Sequence, residues 1–224
     1  EKFSQKPFIG SFVAETKHDD LTLWRMYGKE QKEEAKGCAL TFDMNKLLEN
    51  LNYELIPNDD IENTNTKATE EFNFYRVAYR KQGVTEKFIV PNASLDEQNK
   101  LNDFMTELHQ KIQLFRSKKR KKNEDVQNLL GLLNEIAFLF KSDEYRFENE
   151  VRLVVKGIAF DKKIDLKSHP PRVYIDLTTT RPLIRKITLG PKVDRADEWA
   201  AAFYYNLEKD NFYPEILISH LPFK

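Results

Sequence analysis

A single cysteine, Cys38, stands among the 224 residues of the chain. No intramolecular disulfide can form from it, and a structural zinc centre would lack its thiolates. Histidine is scarce as well. His18, His109, His169 and His220 are the four present, none at metal-ligand spacing, so no metal is expected. Net charge is missing altogether, with 36 basic residues against 36 acidic; no global field draws in nucleic acid or anionic lipid. No apolar run approaches the roughly 20 residues of a membrane span, so no membrane association is expected, and no signal peptide opens the chain. Low cysteine use suits a cytoplasmic protein. The chain begins at Glu1 in mid-pattern, which predicts that the natural N-terminus lies upstream. Glycine-rich phosphate loops are absent, both G-x-x-x-x-G-K and G-x-G-x-x-G, which argues against P-loop ATPases, kinases and Rossmann dehydrogenases. There is no G-x-S-x-G nucleophile elbow. Cys38 sits in the apolar stretch "GCALTF", where a cysteine behaves as a small hydrophobe.

What is present suits a folded domain. Sixteen phenylalanines argue against disorder, and the length is ample for a core. Strands are expected at Lys6–Glu15, Gly37–Phe42, Phe72–Arg80 and Val84–Val90, the last two as a hairpin. Short helices are expected over His18–Gly28 and, after Asp43 as N-cap, over Met44–Leu51, with a polar loop from Asn52 to Glu71. Ser94 and Glu97 have the form of a capping box. They precede an amphipathic helix marked by Leu101, Phe104, Leu108, Ile112 and Phe115. A second, strongly apolar helix spans Val126–Phe140, and the two are expected to pack as an antiparallel hairpin. Strands return at Tyr145–Val155, Pro171–Leu177, Leu183–Gly190 and Pro214–His220, with a helix around Trp199, Phe203 and Leu207. The pattern predicts an α+β fold: a mixed or antiparallel sheet from both ends of the chain, with a helical-hairpin insertion at about 94–140. A single domain over 1–224 is expected.

The row Glu148-x-Glu150-x-Arg152 in "YRFENEVRLVV" is the sharpest feature. On a strand these residues share one face, the two carboxylates ~6.5–7 Å apart. It reads either as a solvated face whose Arg neutralises two acids, or as the wall of a polar cleft in which two carboxylates divide labour. Trp24, Arg25 and Tyr27 in "LTLWRMYG" either line a small-molecule pocket or anchor the core. Lys141, after the apolar helix, either contacts a ligand or caps the helix C-terminus. The basic run Arg116–Lys122 stands at the tip of the expected hairpin with no interleaved aromatics, and reads chiefly as a solvated connector.

The segments "FIGSFVAETKHDDLTLWRMYGKEQKEEAKGCALTF", "LFKSDEYRFENEVRLV", "IRKITLGPK" and "ILISHLPFK" resemble the signature blocks of a bacterial family, the domain of unknown function numbered twenty-nine seventy-one. A second resemblance is to the arginine-type ADP-ribosyltransferases, which carry a Ser-x-Ser strand and a Glu-x-Glu motif. "GSFV" is similar to the first, with Ser11 at its leading Ser and Val13 at the other, and "FENEVRLVV" to the second. This resemblance implies that Glu150 binds the nicotinamide ribose of NAD and stabilises an oxocarbenium-like transition state. It implies that Glu148 orients the acceptor and Ser11 supports Glu150. The ligand-binding set would be Ser11, Trp24, Arg25, Tyr27, Lys141 and Arg152. The expected function is binding of a nucleotide-like ligand with NAD cleavage or ADP-ribosyl transfer to a protein acceptor, in a defence or toxin-type effector. The alternative is a non-catalytic sensor or interaction module, with the Glu–Arg row as internal glue. A third reading, nucleic-acid binding through Arg116–Lys122, sits poorly with the zero net charge. The oligomeric state stays open.

Overall fold

The computed structural model describes residues 6–55, 72–81, 83, 87–120, 122–157 and 160–223. The first part of the chain forms β1 (Phe8–Val13), α1 (Leu21–Met26), β2 (Cys38–Phe42), α2 (Met44–Leu55), β3 (Phe72–Arg76), β4 (Ala78–Arg80) and β5 (Phe88–Ile89). Two long helices follow, α3 (Leu95–Ser117) and α4 (Asn123–Ala137). The remainder holds β6 (Phe140–Ser142), β7 (Glu150–Val155), β8 (Lys163–Asp165), β9 (Arg172–Tyr174), β10 (Ile184–Leu189), α5 (Ala196–Glu208) and β11 (Glu215–Ile218). The fold is α+β. The expected loop at 52–71 becomes helix as far as Leu55, and from residue 56 on lies outside the described residues. Residues 84–86 of the expected strand Val84–Val90 also lie outside them.

The chain divides into two compact units, one of Glu1–Phe12 with Phe72–Lys156, the other of Val13–Glu71 with Gly157–Lys224. In the first unit, β7 is the centre of the sheet β1-β7-β3. It runs antiparallel to β3, with Leu153 opposite Phe74 and Arg152 opposite Tyr75. The single strand expected at Phe72–Arg80 is two strands. Val77, wholly buried, breaks it and donates its N–H to the Glu150 carbonyl at 3.0 Å. Beyond Val77 the chain joins a second sheet, β5-β4-β6, where β4 is antiparallel to β5 and parallel to β6. Val77, Tyr79, Leu153 and Val155 form the core here, with Phe12 edge-on to Phe74 and Phe88 edge-on to Phe140.

The capping box at the start of α3 is formed as expected: Ser94 and Glu97 satisfy each other's backbone N–H groups. The close packing expected between α3 and α4 is not formed. The two helices do not pack closely on each other, and neither buries a residue. Phe104 and Leu114 on α3, and Leu130 and Leu132 on α4, are exposed. The apolar stripes that predicted mutual burial thus stay half open.

In the second unit, β10 is the centre of a mixed sheet, parallel to β11 and antiparallel to β2. Ile187, Leu189, Leu183, Leu47, Leu51 and Leu207 make its core. Asp20 caps α1 by accepting from the Thr22 and Leu23 N–H groups. The backbone approaches itself closely around three glycines. A Cβ on Gly190 would lie 2.4 Å from the Ala35 carbonyl oxygen, and one on Gly37 would lie 3.1 Å from Gly28 Cα. Cys38, expected to behave as a small hydrophobe, is exposed on β2.

Candidate functional site

The strand expected from Tyr145 begins only at Glu150. Asp143–Glu148 is a 3-10 turn, closed by Asn149 in the left-handed region at φ 47°, ψ 52°. Asn is among the few residues that enter this region at little cost. Glu148 therefore reaches the site from the end of a turn, and only Glu150 and Arg152 share a strand face. Neither acid is solvated as a surface row would be, since Glu148 is 3% and Glu150 4% exposed. Buried carboxylates need partners, and the fold supplies them.

Lys141 is the meeting point. Its Nζ lies 2.6 Å from Glu148 Oε2 and 3.0 Å from Glu150 Oε2. Instead of capping α4, Lys141 belongs to β6, aligned with Tyr79 of β4. Its ammonium lies 5.1 Å from the centre of the Tyr145 ring, a favourable cation–π placement. Arg152 grips the Glu150 carboxylate as a fork, Nε to Oε1 at 2.8 Å and Nη2 to Oε2 at 3.0 Å. Such bidentate pairs are among the stronger charge-assisted bonds. The remaining Arg152 Nη1 donates to the Phe138 carbonyl. The Ser11 hydroxyl donates to Glu150. The Glu150 backbone N–H donates to the Tyr79 hydroxyl at 2.9 Å.

Two carboxylates thus face two cations, and the cluster is neutral as a set. Burial pushes the Glu150 carboxyl upward, but hydrogen bonds from Arg152, Ser11 and Lys141 outweigh it and hold the group down to about 2. Glu150 is ionised at every physiological pH. Burial lowers the Lys141 ammonium, yet Glu148 and Glu150 raise it further than burial depresses it. Burial also pushes the Tyr79 phenol up, reinforced by the negative charge of Glu150 and Glu148. A fixed negative charge beside a buried phenol can stabilise a developing positive charge. At a pKa of about 2 it is a poor proton acceptor.

A family model described as a protein of unknown function (DUF2971) matches residues 23–153, more than half of the chain. The chain belongs to DUF2971. The DUF2971 match includes Tyr79, Lys141, Glu148, Glu150 and Arg152, and begins after Ser11. No curated protein and no solved structure matches the chain significantly.

Of the residues expected to form a site in this DUF2971 protein, the structure brings Ser11, Lys141, Glu148, Glu150 and Arg152 together within the first unit. Trp24, Arg25 and Tyr27 belong to the second unit. There Trp24 is a core anchor, 4% exposed, its indole N–H donating to Asp19 at 2.8 Å. Arg25 stacks over the Phe223 ring at 5.2 Å, and Tyr27 is exposed. Sequence reasoning missed Tyr79, because one aromatic residue in an aromatic-rich strand carries no mark of its own. It also missed the break at Asn149, for which the Asn between two acids was an available signal. Among the described residues, no three His, Cys, Asp or Glu side chains gather as a metal would require. No helix among them is long and apolar enough to cross a membrane.

Proposed function

We propose that the first unit binds a nucleotide-like ligand and cleaves NAD, passing ADP-ribose to water or to a protein acceptor. The observation that supports this is the Glu150 carboxylate, ionised and fixed by Ser11, Arg152 and Lys141. When the bond from ribose C1′ to the nicotinamide nitrogen breaks, nicotinamide leaves with the electron pair and positive charge develops on the ribose. A preorganised, desolvated carboxylate stabilises that charge. The acceptor oxygen or nitrogen then bonds to C1′, and its proton passes to Glu148, the acid held beside Glu150 by the same ammonium. The role of Ser11 is to fix Glu150. A part as a defence or toxin-type effector in the cytoplasm belongs to the same proposal. The test is release of free nicotinamide from NAD by the chain, offered water and a panel of protein acceptors, with Glu150→Gln as the control. Absence of turnover in the unmodified chain would sink the reading.

A second reading has its own support in the charge balance of the cluster. Lys141 and Arg152 match the two buried acids one for one, and together they tie β1, β6, β7 and the 3-10 turn. The site would then be structural glue in a sensor or interaction module. In that case Glu150→Gln lowers the melting temperature and alters no activity.

A further inference from the structure

In the sheet β5-β4-β6 of the first unit, β5 is an edge strand. Its inner side is paired with β4: Ile89 stands opposite Tyr79, and the Lys87 carbonyl accepts from the Lys81 N–H at 3.2 Å. Along an antiparallel strand the backbone groups of alternate residues point to opposite sides. The N–H groups of Phe88 and Val90 and the Phe88 carbonyl therefore point out of the sheet. No strand lies on that side among the described residues. Such an edge presents a row of donors and acceptors ready to pair with another chain.

Here side-chain amides of α3 take all three groups. The Phe88 N–H donates to Asn102 Oδ1 at 2.8 Å and the Val90 N–H to Gln98 Oε1 at 2.9 Å. In return Gln98 Nε2 and Asn102 Nδ2 both donate to the Phe88 carbonyl. The Val90 carbonyl turns instead to the Ala93 N–H at 3.2 Å, which closes the strand. Residues four apart lie about 6 Å apart along a helix axis, and alternate residues of a strand about 6.5–7 Å. Two amides one helical turn apart therefore meet two successive outward groups, as a neighbouring strand would. Each amide carries a donor and an acceptor, like a peptide unit. Asn102 is steadied further by donating to the Gln98 carbonyl at 2.9 Å. A helix laid on a sheet ordinarily presents its apolar row. Phe104 of that row is 58% exposed, and α3 buries no residue, while the two amides meet the edge.

We propose that Gln98 and Asn102 are a lock on the β5 edge, a surrogate strand that ends the sheet there and keeps it from pairing with a second copy of the chain. With the lock removed, the outward groups of Phe88 and Val90 lose their partners. The same groups on a second copy then match them, β5 against β5, antiparallel about a two-fold axis. The lock is thus a device against self-association, built into the first two turns of α3.

Native-state amide exchange and sedimentation velocity on the full chain test this. Alanine favours helix and adds no apolar bulk, so it removes the amides alone. Gln98→Ala should speed exchange of the Val90 amide about tenfold and leave Phe88 protected, and Asn102→Ala should do the reverse. The double variant should keep its circular dichroism and, over a micromolar concentration series, sediment as a larger species than wild type. Val90→Pro added to it deletes one of the freed N–H groups and should return the wild-type profile. The proposal is overturned if either amide is indifferent to the loss of its own partner, or if the double variant sediments as wild type does. Association that survives Val90→Pro overturns it too. So does a double variant that loses its circular dichroism, for the amides would then hold the fold together and not merely close an edge.

Discussion

Replacing Lys141 by Met removes the ammonium that bridges Glu148 and Glu150 while keeping an unbranched side chain over the Tyr145 ring. Breaking a buried ion pair by deleting one partner costs about 3–5 kcal/mol, because the remaining charge stays in a poor solvent. The carboxylates here are 3% and 4% exposed, but the Lys141 side chain is 26% exposed. Water at its outer end replaces part of what is lost, and we expect about 2–3 kcal/mol at pH 7. The deficit should depend on pH with a definite sign. Without the ammonium, two like charges share one site, and one carboxyl is pushed above its unfolded value. The folded state then binds a proton that the unfolded state releases, so the variant gains stability relative to wild type as pH falls from 7 towards 5. Removing one of the two acids should do the same at pH 7: Lys141→Met with Glu148→Gln should recover at least half of the loss. Both tryptophans, Trp24 and Trp199, lie in the second unit, so their fluorescence is the wrong probe. Amide exchange at Leu153 in β7, under native conditions at both pH values, reads the first unit directly. A loss below about 0.5 kcal/mol, or one identical at pH 7 and pH 5, would refute the view that Lys141 balances two buried charges.

Three further outcomes are expected. The Glu150 carboxyl at about 2, against an ordinary value of 4.5, contributes about 3 kcal/mol that is fully present above pH 5 and lost as pH falls towards 2. Glu150→Gln should therefore flatten the acid limb of an unfolding profile, and an unchanged limb would remove the group from the ledger. Tyr79→Phe deletes the acceptor of the Glu150 N–H inside the core, an orphaned donor costing about 1–3 kcal/mol, measurable by the same exchange experiment. In the second unit, Gly190→Ala drives a Cβ to 2.4 Å from a backbone oxygen and should cost about 3 kcal/mol or more. There tryptophan fluorescence under urea is the right probe.

The strands of the second unit were legible in "CALTF", "LIRKITLG" and "PEILISH", but their pairings and facing were not: Leu40 on β2 is exposed while Thr41 is buried, and Ile187, Thr188 and Leu189 on β10 are buried in succession. The capping box at Ser94 was legible as well, since its partners are three residues apart. The site was legible in composition and not in geometry. Ser11, Lys141, Glu148, Glu150 and Arg152 were all expected to matter, yet their arrangement depends on two backbone events that periodicity conceals. One is the sheet switch at Val77, which turns Tyr79 towards Glu150. The other is the left-handed Asn149, which swings Glu148 off the strand. Trp24 was open to two readings, pocket wall or core anchor, and its bond to Asp19 makes it a satisfied core residue. The three glycines around Ala35 belong to the same lesson, for they record backbone contact between distant segments.

The two cations of the cluster are not equivalent, and the difference bears on whether the site acts or merely holds. Arg152 is spent on three acceptors, two on Glu150 and one on the Phe138 carbonyl, and its side chain is 12% exposed. It is a fixture. Lys141 reaches the same carboxylate oxygen, Glu150 Oε2, from a more exposed position on a flexible stem. A positive charge developing on a bound ribose would compete for that oxygen with an ammonium already there. Catalysis at Glu150 therefore requires Lys141 to withdraw, transferring its contact to Glu148 alone, whereas a structural role requires it to stay. Lys141→Met separates the two. In an enzyme it lowers stability but leaves Glu150 more available to a cationic ligand, so KM for NAD falls or holds while kcat survives. In a purely structural cluster it lowers stability and leaves nothing else to measure.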